Sequence, residues 1–459
     1  MGKRVFLQSF GCQMNDYDVG RMLEVLGRDG YQVTDVAEDA DLFVINTCAI
    51  REKAEAKTGS AVGRIRPLKQ RRPGSIVAVG GCVPTLEGPG LLDQLPDVDL
   101  TFGPDAIGRL PDLLRRIERD HERISAVDFT EVESYRFLDA EPRPDPTRVT
   151  ALVTIQKGCD NDCAYCVVPS TRGREVSRPV AEVLGEVERF VQAGAREVTL
   201  IGQNVNSYRD GTVDFAALLG RVARTPALLR LRFTTSHPKD FFEPVADCFR
   251  DLPALCEWLH LPVQSGSTAV LARMQRTYRR EEYFRKIEYL KKVCPDISLS
   301  TDIIVGYPGE SDGEFEETVS LLEEVQYDSI YSFKYSPRPR TPAISLGDPV
   351  PEALKSERLW RIQALQKTIT ARRLERFVGR EEEVLVEGES RQGGQACGRT
   401  RGNVVVNFAP PAGASPSDLV GQLVQVPITA AGTHTLRGGN PPGAPPPHAG
   451  RPSLPVLMP

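Results

Sequence analysis

Short apolar runs alternate with segments of helical periodicity along the first 120 residues of the chain. The runs at 5–9, 41–46 and 75–80 are rich in apolar residues, which is typical of buried strands. Between the first two runs, apolar side chains from Val19 to Leu26 recur at helical spacing. This alternation predicts a parallel, doubly wound sheet of the α/β class.

Six further strand-like runs follow between residues 150 and 335, and helical segments separate most of them. A complete (β/α) barrel needs eight strand–helix units, so six units predict an open, partial (β/α)6 barrel. A long charged helix is expected after it, at 351–376.

The pattern changes again after residue 377. Three stretches between 378 and 435 alternate apolar and polar positions and are separated by glycines, which predicts a small β-barrel. From Gly438 the chain is rich in proline and glycine and is expected to be disordered. The predicted units are an N-terminal domain at 1–125, a linker at 126–148, the partial barrel at 149–377, the small β-barrel at 378–437 and a tail at 438–459.

The composition is that of a globular protein and argues against a membrane-spanning one. Hydrophobic residues make up 40% of the 459 residues and charged residues 26%. No apolar run approaches the ~18–20 residues that cross a bilayer, and the N-terminus lacks the apolar segment of a signal peptide. The cytoplasm is therefore the expected location. Because the net charge is −5, any contact with nucleic acid must come from local basic groups.

Three of the ten cysteines form a single-loop motif, CxxxCxxC, directly after the first strand of the predicted barrel. Cys159, Cys163 and Cys166 can ligate three irons of a 4Fe–4S cube and leave the fourth iron without a protein ligand. Because electron-transfer clusters ordinarily take four cysteines, an open iron indicates a site where a substrate is chelated. The alternative is a zinc loop, which needs a fourth Cys or His nearby, and residues 150–180 contain none.

Three other cysteines are far apart in sequence, but each follows the end of a predicted strand. They are Cys12, Cys48 and Cys82. The carboxyl ends of parallel strands share one edge of the sheet, so these thiols are expected to converge on a second metal cluster. Gly11 and Gly81 precede two of them and would let the backbone approach a bulky inorganic group. The alternative is that the three are buried structural cysteines.

The structural interpretation is favoured for the four remaining cysteines, which lie within helix or strand patterns or in the β-domain. They are Cys248, Cys256, Cys294 and Cys397.

The cysteine loop, with Tyr165 before its last cysteine and at the head of a β/α barrel, resembles that of the radical SAM superfamily. In that superfamily the open iron chelates the amino and carboxylate groups of S-adenosylmethionine (SAM). One electron from the cube then cleaves SAM to methionine and a 5′-deoxyadenosyl radical. The resemblance implies that the central domain of this chain binds a 4Fe–4S cluster and SAM.

The three N-terminal cysteines and the terminal β-domain narrow the resemblance to the methylthiotransferases, which have a cluster domain, a radical SAM core and a TRAM domain in this order. Several strings are similar to those of the branch of tRNA-2-methylthio-N(6)-dimethylallyladenosine synthases. They include GCQMN at 11–15, KGCDNDCAYCVVPSTRGREVSRP at 157–179 and HLPVQSGS at 260–267. The resemblance covers about 1–435 and implies a second 4Fe–4S cluster on the N-terminal cysteines.

The implied reaction is methylthiolation of carbon 2 of N(6)-isopentenyladenosine at position 37 of tRNAs that read codons beginning with U. The N-terminal cluster would carry the sulfur, which a first SAM methylates, and a second SAM on the CxxxCxxC cluster would give the radical. A radical suits this C–H group, which has no acidic proton for general-base chemistry. Other branches act on threonylcarbamoyl-adenosine in tRNA or on ribosomal protein S12. A rival from another class is a non-catalytic two-cluster protein for electron transfer or iron sensing.

Five residues are candidates for SAM contacts in such an enzyme. Gln203 and Asn204 follow the second barrel strand, where their oxygens could accept N–H bonds from the SAM amino group; a simple polar loop is the alternative. Thr234 and Ser236 end the third strand and could touch the ribose or the methionine part. Arg178 could pair with the carboxylate of SAM, and a surface arginine is the alternative.

The implied macromolecular partner is the anticodon stem-loop of tRNA. Three arginine-rich groups, at 64–72, 276–280 and 372–380, are candidate contacts, although such groups are usually solvated surface. The small β-barrel is the stronger candidate, because such barrels present a face and loops to nucleic acid. A low-potential electron donor such as a flavodoxin or ferredoxin is also implied. The chain is expected to act as a monomer and to have no membrane partner.

Overall fold

The N-terminal domain of the computed structural model, which describes residues 2–49, 52–139, 141 and 148–439, is built on one six-stranded sheet. Its strands are β1 (Arg4–Ser9), β2 (Gln32–Val33), β3 (Leu42–Thr47), β4 (Ile76–Gly81), β5 (Leu100–Phe102) and β6 (Ile124–Ala126). Its helices are α1 (Gln13–Arg28), α2 (Glu52–Arg71), α3 (Cys82–Glu87), α4 (Gly90–Gln94) and α5 (Leu110–Asp120). The strand order is β2-β1-β3-β4-β5-β6, and every pairing is parallel.

Helices cover both faces of this sheet, which confirms the predicted doubly wound arrangement. On one face, Met22 of α1 and Leu114 of α5 pack in one cluster with Val44. On the other face, Ile65 of α2 packs in a separate cluster with Phe43. Since successive strand residues point to opposite faces and both faces are buried, β3 and β4 are apolar along almost their whole length.

The central domain is an open barrel of six parallel strands surrounded by helices, as predicted. The domain contains β7 (Thr150–Thr154), β8 (Gln156–Lys157), β9 (Val176–Ser177), β10 (Glu197–Ile201), β11 (Arg209–Asp210), β12 (Val213–Asp214), β13 (Arg230–Phe233), β14 (Trp258–His260), β15 (Ser298–Val305) and β16 (Ser329–Lys334). Of these, β8 and β9 form one short antiparallel pair and β11 and β12 form another, and the other six are the barrel strands. Its helices are α6 (Val168–Arg172), α7 (Val180–Gln192), α8 (Phe215–Val222), α9 (Glu243–Asp251), α10 (Thr268–Arg273), α11 (Arg280–Val293), α12 (Asp312–Val325) and α13 (Glu352–Glu375).

The six barrel strands form two three-stranded sheets, β13-β10-β7 and β14-β15-β16. A parallel bridge between Leu231 and Leu255 joins them, and β7 and β16 are the two outer strands. Alternate residues of each strand face the helices: Leu299 and Ile303 of β15, for example, lie in the large core cluster that includes the helix residue Leu322. The residues between them, such as Asp302, face the lumen of the barrel.

The C-terminal domain is a closed five-stranded barrel, which confirms the predicted small β-barrel. Its strands are β17 (Glu381–Glu389), β18 (Ala396–Thr400), β19 (Val405–Phe408), β20 (Leu423–Ala431) and β21 (Thr435–Gly438), in the order β17-β18-β19-β21-β20. It packs on the amino-terminal ends of the central strands. There, Arg230 and Arg232 of β13 donate hydrogen bonds to backbone oxygens of Glu383, Arg399 and Arg401.

Two sequence predictions fall partly outside the described residues. They are the linker, of which residues 140 and 142–147 are not described, and the tail from residue 440 onward. Among the helices that the structure does describe, none is long and apolar enough to cross a membrane.

Candidate functional site

The three N-terminal cysteines lie at the carboxyl edge of the first sheet, on three adjacent strands. Cys12 caps the start of α1, Cys48 directly follows β3, and Cys82 is the first residue of α3. The thiols of Cys12 and Cys48 are hydrogen-bonded to each other, and the charge of Cys12 acts on the nearby Cys82 thiol. The structure therefore brings together the three residues that sequence reasoning expected to converge.

The two glycines beside these cysteines are required by close packing within the protein. A Cβ on Gly11 would lie 2.5 Å from Cγ of Asn15, and a Cβ on Gly81 would lie 2.4 Å from the backbone oxygen of Thr47. Gly81 also has a φ of 96°, in the left-handed region that side chains rarely adopt. These glycines thus allow protein atoms to approach the backbone closely, and the close packing at Gly81 sets Cys82 beside the end of β3. The approach of an inorganic group stays a prediction.

A buried arginine adjoins the N-terminal thiols. The hydrogen bond with Cys48 lowers the pKa of the Cys12 thiol to about 6, against the opposing effect of burial, and the charge of Arg172 adds to the lowering. Burial raises the pKa of the Cys82 thiol, while Arg172 acts in the opposite direction through its charge and a hydrogen bond. Because the thiolate is the form that binds metal, this cation favours metal binding at the site.

The second group of cysteines lies on the loop between β8 and α6. Nη1 of Arg276 is 3.3 Å from Sγ of Cys163, and Nε2 of His237 is 3.8 Å from the same sulfur. The backbone N–H of Val168 points to Sγ of Cys166 at 3.5 Å. Hydrogen-bond donors thus surround these sulfur atoms, as an anionic cluster requires.

His237 is a neutral imidazole in this setting. Burial, followed by the charge of Arg276, lowers its pKa to about 2. Its Nδ1 accepts a hydrogen bond from the backbone N–H of Lys239 at 3.1 Å, so the ring caps the turn at Pro238–Asp240. The residue therefore positions the cysteine loop and cannot carry a proton near neutral pH.

The donor sets fit iron–sulfur clusters. Each group offers three thiols and hydrogen-bond donors, and soft thiolate ligands select such clusters. Over the described ranges, no three Cys, His, Asp or Glu side chains are placed to hold a metal ion directly between them. A cube binds its thiolates through separate irons, so its ligands do not share a single ion.

Several buried polar atoms at the carboxyl edge of the open barrel have no hydrogen-bond partner. The buried atoms Nε2 of Gln203, Oδ1 of Asn204 and Oγ of Ser236 make no hydrogen bond in the structure. Thr234 is buried beside them at the end of β13. Gln203 is also tied to the cysteine loop, because its Oε1 accepts the backbone N–H of Gly158. Buried polar atoms are normally satisfied, so this edge fits a polar ligand such as SAM.

Arg178 is fully buried, so the alternative of a surface arginine is wrong. Its Nη1 donates to Glu186, and its Nε is 3.3 Å from a carboxylate oxygen of Glu182. Its Nη2 makes no hydrogen bond. Because Glu186 already pairs with part of the guanidinium, the contact with the carboxylate of SAM stays a prediction.

The lumen of the open barrel presents an aromatic surface next to the cysteine loop. Tyr331 and Phe333 of β16 are 50% and 38% exposed, and they lie on the face opposite Ser332, which bonds to α13. The ring of His260 meets Tyr331 edge-on at 5.7 Å, and Nε2 of His260 is 3.5 Å from Oδ1 of Asp302. Sequence reasoning missed these residues; the alternation of Ser, Tyr, Ser and Phe in β16 was the available signal.

Two buried ion pairs join the central cysteine loop to the N-terminal domain, and these were also missed. Lys157 lies two residues before Cys159, and its Nζ is 2.6 Å from Oδ1 of Asp105. Arg172 ends α6, and its Nη2 is 2.7 Å from Oδ2 of Asp18. Cations that flank a cysteine motif in sequence were the available signal, but the carboxylates that pair with them are more than fifty residues away.

The arginine-rich groups predicted to contact RNA differ in exposure. Arg66 and Arg72 are half-exposed and paired with aspartates. Arg276 is buried and contacts Cys163, so its assignment to an RNA-binding surface is wrong. Arg373 and Arg376 both pair with Asp328 at the end of the long helix.

Comparisons with known proteins cover the three domains. Residues 4–103 match the model of the uncharacterized protein family UPF0004, residues 153–322 the radical SAM superfamily, and residues 375–439 the TRAM domain. A tRNA-2-methylthio-N(6)-dimethylallyladenosine synthase of Syntrophotalea carbinolica is 48% identical over 433 residues, which cover 94% of this chain and 98% of that protein. Synthases of the same name from Geotalea uraniireducens and Burkholderia mallei are 46% and 45% identical, and each alignment covers 95% of this chain and 98% or 97% of the relative.

Solved structures share the fold at low sequence identity. The radical S-adenosylmethionine methyltransferase TsrM of Kitasatospora setae, with cobalamin and a [4Fe-4S] cluster bound, superposes with a TM-score of 0.56 at 16% identity. That match covers 75% of this chain and 77% of TsrM. The cobalamin-dependent radical enzyme OxsB gives a TM-score of 0.52 at 13% identity over 80% of this chain and 56% of OxsB.

Proposed function

This chain belongs to the family of tRNA-2-methylthio-N(6)-dimethylallyladenosine synthases, and on that premise we propose that it methylthiolates carbon 2 of N(6)-isopentenyladenosine at position 37 of tRNAs that read codons beginning with U. The chain is a transferase that acts on tRNA and uses SAM with a 4Fe–4S cluster. The finer parts of the proposal are the second cluster, the residues that hold each group and the position of the target base.

The observation that carries the proposal is the direct contact between the two cysteine sites. Val167, which follows Cys166, packs in one apolar cluster with Ala49 and Cys82. The short helix α6 begins at the next residue and ends at Arg172, which reaches the thiol of Cys82. A site that generates a radical and a site that carries sulfur would need to face one substrate, and this packing supports such an arrangement.

Each cysteine group would hold one cluster. We assign the SAM-binding cluster to Cys159, Cys163 and Cys166, and the sulfur-carrying cluster to the three N-terminal cysteines. When bound, these groups supply an electron for the cleavage of SAM, the resulting radical chemistry, and the sulfur and methyl group that are transferred. The residues of the chain bind and orient these groups.

The polar edge of the barrel would orient SAM. Gln203, Asn204 and Ser236 each have a buried polar atom that a ligand can satisfy, and Thr234 lies beside them. Arg276 would hold Cys163 through its N–H group and keep His237 neutral, so that the loop presents donors and no titrating acid.

The lumen would hold the target base. The exposed rings of Tyr331 and Phe333 offer stacking surfaces to a flipped-out adenine and apolar contact to its isopentenyl group. Ile304 lies opposite Phe333 in the sheet register, and it packs against the same apolar cluster as Tyr165 of the cysteine loop. This packing supports a base site next to the proposed radical site.

The rival functions are less consistent with these features. A two-cluster protein for electron transfer has no use for unpartnered polar side chains at a barrel edge or for exposed aromatic rings in a lumen. Ribosomal protein S12 as substrate does not explain the stacking surface, and threonylcarbamoyl-adenosine would place a polar group against the phenyl ring of Phe333. We propose the cytoplasm as the location and a flavodoxin or ferredoxin as the electron donor, because the relatives modify tRNA and SAM cleavage needs a low-potential electron.

Anaerobically reconstituted protein would be incubated with SAM, reductant and a tRNA that carries N(6)-isopentenyladenosine. Mass spectrometry of the nucleosides should show the 2-methylthio derivative. The same tRNA with unmodified adenosine or threonylcarbamoyl-adenosine and ribosomal protein S12 are the comparison substrates. Modification of either comparison nucleoside or of S12, without modification of the isopentenyl tRNA, would disprove the substrate assignment.

A further inference from the structure

Arg172 is a cation buried between two domains and between two cysteine sites. Its side chain and that of Asp18 are each 6% exposed, and Nη2 of Arg172 is 2.7 Å from Oδ2 of Asp18. The charge of the same guanidinium acts on the thiols of Cys82 and Cys12. Asp18 belongs to α1, the helix that Cys12 caps. The helix α6, which ends at Arg172, contacts α3, which begins at Cys82. One side chain of the central domain therefore lies between two elements that carry the N-terminal cysteines.

Domain docking alone does not account for this contact. A second buried pair, Lys157 with Asp105, joins the same two domains, with side chains 8% and 2% exposed. Lys157 is not among the main charges that act on Cys12 or Cys82. A buried ion pair is costly to desolvate and contributes little net stability, so a pair that also meets thiols calls for an additional role.

Asp18 holds the guanidinium through Nη2, and the other N–H groups of Arg172 remain for further acceptors. Arginine suits this task because its planar fork can serve two acceptors and keeps its charge when buried.

We propose that Arg172 is a positioning residue for the sulfur-carrying cluster: held by Asp18, it donates to the sulfur atoms at Cys82 and sets the reduction potential of the cluster on Cys12, Cys48 and Cys82. This inference rests on the proposed second cluster. The potentials of such clusters depend on net charge and on hydrogen bonds to sulfur. Reduction adds negative charge, so a buried cation beside the cluster stabilises the reduced form and raises the potential.

The test uses the full-length chain in which Cys159, Cys163 and Cys166 are all replaced by Ala, so that only the N-terminal cluster is reconstituted. Its midpoint potential is measured by an EPR-monitored redox titration. In that background, Arg172→Met should shift the potential to more negative values. Arg172→Lys keeps the positive charge, so its potential should lie close to that of the parent variant. Lys157→Met is the matched control, because it removes a buried interdomain cation that is not among the main charges acting on Cys12 or Cys82, and it should leave the potential unchanged.

The outcomes separate the inference from the function on which it rests. Absence of any cluster in the parent variant would overturn both the second cluster and the role of Arg172. A cluster whose potential is the same in Arg172→Met and in the parent, or is shifted equally by Lys157→Met, would overturn the role of Arg172 alone. Should Arg172→Met fail to hold the cluster while Lys157→Met holds it, the requirement for this cation would be supported, and Arg172→Lys should then restore cluster binding.

Discussion

At the scale of single residues, the buried polar atoms without partners are the most informative feature of the carboxyl edge of the open barrel. Ser236 and Ser207 form a matched pair for testing this. The hydroxyl of Ser236 is buried and makes no hydrogen bond, whereas that of Ser207 bonds to Glu175 and to the backbone oxygen of Asn204, each at 2.8 Å. If the Ser236 hydroxyl binds a ligand and the Ser207 hydroxyl stabilises the fold, removing the first should lower ligand affinity and removing the second should lower stability.

Ser236→Ala should weaken SAM binding about 2- to 10-fold, which corresponds to one hydrogen bond of ~0.5–1.5 kcal/mol, without lowering the unfolding midpoint in the absence of SAM. Ser207→Ala should lower the midpoint, because it leaves a buried partner unsatisfied. Isothermal titration of reconstituted protein with SAM and thermal unfolding measure the two quantities. Unchanged SAM affinity in Ser236→Ala would remove this residue from the site.

Cys48→Ala tests the proposed division of labour between the cysteine groups. Iron should fall from ~8 to ~4 per chain, since a cube holds about four irons and only one site is lost. Methylthio transfer should be abolished, while reductive SAM cleavage to 5′-deoxyadenosine should persist at the other cluster. Cys256→Ala is the control, because Cys256 is buried away from both groups, and it should retain both clusters. Full methylthiolation by Cys48→Ala would contradict the two-cluster proposal.

Sequence reasoning located the cysteines but not the residues that surround them. Spacing and strand ends were enough to predict that Cys12, Cys48 and Cys82 converge, because parallel strands end on one edge. The partner of an arginine, by contrast, depends on tertiary packing. Arg178 was assigned to SAM but pairs with Glu186, and the contact between Arg172 and Asp18 spans 154 residues.

At the scale of elements, the periodicity of apolar residues predicted nearly all of the architecture. The long charged helix expected at 351–376 is α13, Glu352–Glu375, and the three strand-like stretches near the C-terminus belong to the closed barrel. Each face of a strand or helix is either buried or exposed to solvent, so apolar residues recur at about every second position of a strand and every fourth position of a helix. The close packing between strand ends follows no such period, so the sequence pattern could not predict it.

Gly81→Ala tests the packing at the junction of β4 and α3. The new Cβ would meet the backbone oxygen of Thr47 at 2.4 Å, in a left-handed conformation with φ of 96°. A cost of ~1–3 kcal/mol is expected from the strained backbone alone. Gly63→Ala in the middle of α2, where nothing lies within 4 Å of the new Cβ, is the control and should stabilise by ~0.5–1 kcal/mol. Denaturant unfolding measures both, and equal stability of the two variants would contradict the packing argument.

The outer strand β16 tests the proposed base site. Tyr331→Ala should weaken binding of an isopentenylated anticodon stem-loop by ~1–3 kcal/mol, the range for a stacked base, which is about 5- to 150-fold. Trp360→Ala is the control, since this side chain is 71% exposed on α13, the helix that packs on the other face of β16. Fluorescence anisotropy would compare the two. An equal loss in both variants would show a general effect of surface aromatic residues and would remove the lumen from the proposal.

At the scale of the whole molecule, buried cations join the three domains at opposite ends of the open barrel. Lys157 and Arg172 tie the N-terminal domain to the cysteine loop at the carboxyl end. Arg230 and Arg232 tie the TRAM domain to the amino end, largely through backbone oxygens. If the TRAM domain contacts the tRNA, as we propose, these contacts hold it at a fixed distance from the cysteine sites at the other end.

Arg230→Met tests whether this fixed position matters for tRNA. The guanidinium is fully buried, and its removal leaves the backbone oxygens of Arg399 and Glu383, now 2.7 and 2.9 Å from its nitrogens, without these donors. Each lost partner costs ~1–3 kcal/mol, so β17 and β18 should exchange amide hydrogens faster.

Because both cysteine groups lie at the far end of the strands, SAM cleavage without tRNA should be unchanged in Arg230→Met while the KM for tRNA rises. Arg224→Met, at an exposed position of the same domain, should change neither quantity. Steady-state kinetics with varied tRNA, together with hydrogen exchange, would measure the effect. A parallel fall in SAM cleavage would mean that the amino end of the barrel supports the cluster site itself. A KM for tRNA equal to that of the unaltered protein would mean that tRNA binding does not depend on the placement of the TRAM domain.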